Sequence, residues 1–129
     1  MRKLRIGVVL VAVLVCSGSL AHGQRATERF IPLGRSPGVS GKLTTIGTIV
    51  SVDWAQRRLR IAGPTGPLEV SLRDSTRIWI DRHERGLATR NGTLEDCREG
   101  TTAEVKYADP DARQVAEWVK LVPRHPTPR

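Results

Sequence analysis

"RRLRIAGPTGPLEVSL", residues 57–72, decides the fold. Leu59 and Ile61 alternate with Arg58 and Arg60, and Leu68, Val70 and Leu72 alternate with Glu69 and Ser71. A period of two with one polar face is the pattern of half-buried antiparallel strands. Between the two runs, "GPTGP" (63–67) supplies the glycines and prolines that set turn dihedrals, so the stretch reads as a β-hairpin.

The same period continues on both sides. "TTIGTIVSVD" (44–53) is rich in β-branched residues. Ile49 and Val52 both look core-facing but differ in parity, which one extra residue, a β-bulge, would reconcile. "TRIWID" (76–81) sets Ile78 and Ile80 against Arg77, Trp79 and Asp81. "TAEVKY" (102–107) sets Ala103, Val105 and Tyr107 against Glu104 and Lys106. "QVAEWVKL" (114–121) is the last run, and its alternation does not say which side faces in. "DPDA" (109–112) connects the last two runs. In "LATRNGTLEDCREG" (87–100), Asn91-Gly92 reads as a turn. Thr93 there would cap a short helical turn over 94–97, with Asp96 three residues on. The expected fold is all-β: a small OB-like barrel of about six antiparallel strands with one short helical turn. Closure removes the exposed edges that so many short strands would otherwise leave.

The ends read differently. "MRKLR" followed by "IGVVLVAVLV" and "CSGSLA" has the basic, apolar and small-residue order of a secretory signal, with cleavage after Ala21 or after Gly23. The apolar run is shorter than the roughly 20 residues that span a bilayer. Cys16 would be a lipidation site, and so a membrane anchor, only if a small residue preceded it, and Val15 is bulky. The expected organisation is signal peptide 1–21, linker 22–41, barrel 42–122 and disordered tail 123–129. Within the linker, "RFIPLG" (29–34) reads either as a short segment packed on the domain or as a docking peptide. The expected location is the periplasm or cell exterior.

The charge balance narrows the partners. The chain carries +8, but Arg2, Lys3 and Arg5 belong to the signal. Residues 42–121 hold 13 basic and 12 acidic side chains. A high isoelectric point that comes from the signal and the ends argues against a nucleic-acid-binding domain.

"GTIVSVD" (47–53), "LRIAGPTGPLEVSL" (59–72), "STRIWID" (75–81), "LEDCREGTTAEVKY" (94–107) and "AEWVKLV" (116–122) resemble, in order, the small exported bacterial OB-like β-barrel domains of unknown function. That family's pattern is a Gly-x-Ile-x-x-Val-Asp start, a hairpin, a Thr-x-Ile strand, an Asp-Leu-x-x-Gly turn and a closing strand. The resemblance spans about residues 45–122 and implies a fold, not an activity. Where it has Asp-Leu-x-x-Gly, this chain has Asp96-Cys97-Arg98-Glu99-Gly100, which implies that Cys97 takes an apolar core position. The chain is also similar to the periplasmic copper and silver chaperones, which use methionine and histidine beside a tryptophan. Trp54, Trp79 and Trp118 are present, but the one methionine is Met1, so the thioethers suited to Cu(I) are missing.

Candidate chemistry is sparse. Cys97 lacks a histidine or a second cysteine at ligand spacing, and Glu95, Asp96 and Glu99 oppose thiolate formation beside Arg98. Core packing, an intermolecular bridge and a reactive thiol are its alternatives. "DRHERG" (81–86) offers Asp81, His83 and Glu84 to a metal, with Arg82 and Arg85 repelling one. His22 and His125 lie in the ends. Asn91-Gly92-Thr93 matches a glycosylation pattern but reads as a turn. No nucleophile elbow, P-loop or His-Glu-x-x-His appears. Arg58, Arg60, Arg77 and Trp79 occupy polar strand positions and would form a basic-aromatic ligand-binding patch if those faces meet. The reading that follows is a non-enzymatic exported binding module, without cofactor or metal site, for a protein partner or an anionic envelope ligand. The alternative is a periplasmic metal-handling or stress-related protein.

Overall fold

The β-hairpin forms where the alternation places it. The structure is a computed structural model that describes residues 27–124. The signal, its cleavage site, Cys16, His22 and the tail from His125 lie outside the described residues. Strand β2 (Arg58–Gly63) pairs antiparallel with β3 (Gly66–Ile80), Leu59 opposite Val70 and Ile61 opposite Leu68. Pro64 and Thr65 make the tip. Gly66 closes it with φ of 123°, a conformation that side chains rarely adopt.

Strand β1 (Thr44–Asp53) pairs with β2 on one edge and with β5 (Thr102–Tyr107) on the other. The expected bulge is present: the register shifts between Ile49 and Ser51, leaving Val50 as the extra residue. Ile49 then faces Ile61, and Val52 faces Leu59, on one side of the sheet. Gly47 lets β1 and β2 approach closely. A Cβ there would lie 2.3 Å from the Ala62 carbonyl oxygen and 2.8 Å from Ile61 Cγ2.

Strand β6 (Val115–Val122) explains why its alternation was undecided. Tyr107 opposes Ala116 but Lys106 opposes Trp118, so Glu117 is an extra residue. This second bulge lets Ala116, Val119 and Leu121 all face the core while Trp118 and Lys120 face out.

The strands follow the order β2-β1-β5-β6-β3-β4, and the β2–β3 pairing closes five of them into a barrel. β4 is the two-residue strand Arg90–Asn91, attached to the end of β3. Two details differ from the all-antiparallel expectation. The runs 67–72 and 76–81 are one strand, β3, because Arg73-Asp74-Ser75 continues the chain instead of turning it. The first half of β3 pairs with β2 and the second half pairs parallel to β6. Thr76 supports this passage: its Oγ1 donates to the Ala116 carbonyl at 2.7 Å and accepts the Arg73 N–H at 2.9 Å. Asn91-Gly92 is likewise a pairing segment: Asn91 opposes Trp79, and the Gly92 N–H donates to the Ile78 carbonyl.

The core is the barrel interior: Leu59, Ile61 and Val70 from the hairpin, Val105 from β5, Val119 and Leu121 from β6. Full burial of such side chains contributes about 1.5–3 kcal/mol each. Tyr107 is buried among them, and its hydroxyl donates to Thr45 Oγ1 at 2.8 Å. The helical turn is Leu94–Asp96, with the Thr93 N–H donating to Asp96 Oδ2 at 2.8 Å. It delivers Cys97 into the core, fully buried.

Residues 27–43 lie across the outside of the barrel as a strap. Gly34 N–H, Ser40 Oγ and Thr44 Oγ1 all donate to the Glu104 carboxylate, at 2.9, 2.6 and 2.9 Å. Leu33 N–H donates to Asp81 Oδ2 at 2.7 Å, and Lys120 Nζ donates to the Ile31 carbonyl at 2.8 Å. Glu104 and Lys120 are cross-strand neighbours, both fully buried under the strap. The polar face of β5 and β6 has therefore become a second, polar interior.

Candidate ligand-binding face

The strap leaves one side of the barrel open. Outward positions of β2 and β3 alternate with the core residues, as strand geometry requires. They present Arg58 and Arg60 from β2, then Glu69, Ser71, Arg73, Ser75 and Arg77 along β3. The four arginines are exposed. Arg58 opposes Ser71, and Arg60 opposes Glu69 across the hairpin. At the β1–β2 turn, Trp54 is 52% exposed. Beside it Arg57 pairs with Asp74.

Trp79 has a different position from its polar-strand neighbours. It faces outward, but only 5% of it is exposed. Its ring packs on Trp118 with centroids 5.5 Å apart and planes tilted by 35°, an arrangement aromatic pairs favour. Lys120 Nζ sits 4.8 Å from the Trp118 ring centroid. Burial pushes the Lys120 ammonium below its ordinary range, and the carboxylates of Glu104, Glu28 and Asp81 hold it up. Of the four sequence candidates, Arg58 and Arg60 lie together on the hairpin. Arg77 lies farther along β3, beside Trp79, opposite Trp118.

Arg77, Trp79 and Trp118 line a cavity of about 140 Å³ together with Arg73, Ser75 and Glu117. Sequence reading missed Arg73, which lies between two runs read as separate strands, and Trp118, whose facing depends on the Glu117 bulge. A signal for Arg73 was available: its parity matches Ser71 and Arg77 once β3 is continuous.

A second cluster lies at the end of β3. His83 Nδ1 is 2.5 Å from Asp81 Oδ1, and the His83 N–H donates to the same oxygen at 2.9 Å. Burial would raise the Asp81 carboxyl. Hydrogen bonds from the Leu33 and His83 N–H groups and the His83 ring more than offset it, so the carboxyl lies below its ordinary value. Asp81, His83 and Glu84 border a cavity of about 400 Å³ with Pro32, Leu33 and Arg35 of the strap. Among the described residues, no three His, Cys, Asp or Glu side chains are grouped to hold a metal ion.

Cys97 lies away from both clusters. Burial and the neighbouring Asp96 carboxylate push its thiol up to about 12, so it stays protonated at neutral pH.

No protein-family model matches the chain, and no curated protein matches it. Among solved structures it is similar to a tryptophan-to-alanine variant of CusF with Cu(II) from Escherichia coli, residues 10–88, at a TM-score of 0.42 and 7% sequence identity. That match covers 61% of this chain and 89% of the other. A likeness at this level assigns neither a family nor a ligand to the chain.

Proposed function

We propose that this chain is an exported, non-enzymatic binding barrel that holds an acidic glycan of the cell envelope on its open β2–β3 face. The observation that carries the reading is the uncovered row of Arg58, Arg60, Arg73 and Arg77 on one side of a barrel whose opposite polar side is sealed by the strap. Rigid strands hold these guanidinium groups in a line. Arginine suits carboxylate and sulfate because its planar fork donates two parallel hydrogen bonds. Trp54 at the adjoining turn offers an exposed ring for a sugar face. The exported half of the reading rests on the signal-like residues 1–21.

Retention on an immobilised acidic polysaccharide, with a neutral one as control, tests the reading. The double substitution Arg58→Glu, Arg60→Glu is expected to abolish retention while leaving the thermal melt unchanged, since both side chains are exposed. Equal retention of the double variant and the parent chain would refute it.

The metal-handling alternative has a specific feature to rest on, the contact between Asp81 and His83. Titration with Cu or Zn, with His83→Ala as control, decides it. Stoichiometric binding lost in the variant would favour it, and no stoichiometric binding would sink it.

A further inference from the structure

We infer that Arg57 is a further ligand-binding residue of the open face, and that Asp74 is its resident placeholder, a carboxylate that the ligand's own acidic group displaces. The inference rests on the glycan-face reading and names one contact through which that face recognises a carboxylate.

Arg57 destabilises the position it holds. It stands between β1 and β2 with φ of 54°, a left-handed conformation that glycine or asparagine adopts with less strain. Its Nε is buried and has no acceptor among the described residues. A buried donor left unpaired costs free energy. The ion pair with Asp74 offsets little of this, because the Asp74 side chain is 96% exposed and pairs in water contribute weakly. Arg113, between β5 and β6, is the useful contrast. It has a similar φ of 49°, but its Nε donates to the Pro110 carbonyl at 3.3 Å and its guanidinium lies over the Tyr107 ring. The fold accounts for Arg113 and leaves Arg57 unexplained.

Position supplies the missing role. Arg57 lies in the chain between the exposed Trp54 and the exposed Arg58. Its pair with Asp74 ties this turn to the Arg73-Asp74-Ser75 passage of β3, so the contact joins two arginine-bearing segments of the face. The passage lies where the register of β3 against β6 breaks, and Asp74 is held there by Arg57. A uronate carboxylate is the same kind of acceptor as an aspartate carboxylate, so one can replace the other against the guanidinium. Arg57 stays paired in both states. Asp74 also sets a threshold. A carboxylate carried on the same chain outcompetes a small free acid through its effective concentration. Displacing it takes a ligand that gains further contacts at Trp54 and Arg58, which a polymer offers and a single small acid does not.

Surface plasmon resonance of the mature chain on immobilised polygalacturonate, with dextran as the neutral control, tests this at fixed ionic strength. Asp74→Asn is expected to tighten binding about threefold, the scale of an exposed ion pair, and Arg57→Asn to weaken it by about the same factor or more. The double variant Arg57→Asn, Asp74→Asn is expected to match Arg57→Asn, because Asp74 then has nothing left to block. Thermal melts of Arg57→Asn and Arg57→Gly are expected at or above that of the parent chain. A gain from Asp74→Asn that persists without Arg57 overturns the inference, since Asp74 then acts only as a general negative charge. Weaker binding in both single variants overturns it by making the pair a tether for the turn. Unchanged binding in Arg57→Asn overturns it too, as do melts below the parent's in both Arg57→Asn and Arg57→Gly, which make Arg57 a structural residue. Each of these results leaves the face standing where the parent binds and the Arg58→Glu, Arg60→Glu variant does not. A parent chain that does not bind polygalacturonate removes the face reading and this inference with it.

Discussion

At the residue scale, the most informative side chains are polar groups that folding has removed from water. Glu104 is fully buried, accepts three hydrogen bonds from the strap and β1, and neighbours the buried Lys120. Replacing Glu104 by Ala leaves those donors unsatisfied and the Lys120 charge without its nearest buried counter-charge. The expected cost is about 3–5 kcal/mol, measured by urea unfolding. Glu104→Gln keeps an acceptor and should cost less than Glu104→Ala. Cys97 makes the opposite case, a side chain whose neighbours in sequence are charged but whose surroundings are apolar. Its thiol should resist alkylating reagents until the barrel opens. Cys97→Ala should lower stability by about 1–2 kcal/mol through the small cavity it leaves. Rapid labelling of the folded chain would contradict this placement.

At the element scale, the strap is the segment whose behaviour depends on pH. Leu33 N–H and the His83 N–H and ring all favour the ionised form of Asp81, whose carboxyl titrates below its ordinary value of 3.8. A group with a depressed value in the folded state stabilises that state above the ordinary value. The contribution is lost as pH falls through the folded value. Thermal melts should therefore lose stability below pH 3.8, and Asp81→Asn should flatten that limb while lowering stability at neutral pH. An unaltered acid limb in Asp81→Asn would mean that the strap is not held there. The two bulges are the other decisive elements. Val50 and Glu117 each reset the alternation of their strand, and the second one turns Trp118 outward. The first was legible because Ile49 and Val52 are both apolar and differ in parity. The second was not, because Ala116, Trp118, Val119 and Leu121 are all apolar enough for either side.

At the scale of the whole molecule, the chain is a closed barrel with one polar side sealed and one open. If the open side binds an acidic glycan through its arginines, retention should fall steeply as salt rises from about 0.15 M toward 1 M, because screening then acts within about 3 Å. Salt-insensitive retention would point instead to Trp54 and apolar contacts. The sequence by itself determined the all-β class, the β2–β3 hairpin, the first bulge and the capped turn before Cys97. Each of these depends on residues close together in the chain, through strand period, turn chemistry and capping. Tertiary structure alone decided the rest. β3 runs on through Arg73-Asp74-Ser75 because its two halves have different partners, β2 and then β6, and no local pattern records that change. Trp79 and Glu104 read as solvent-facing because their strand parity is polar, and Lys120 lies in the run whose facing its alternation left open. Glu104 and Lys120 are buried because residues 27–43 return over that face and supply its hydrogen bonds, a contact made across as many as 89 positions of the chain, and Trp79 is buried with its ring against Trp118.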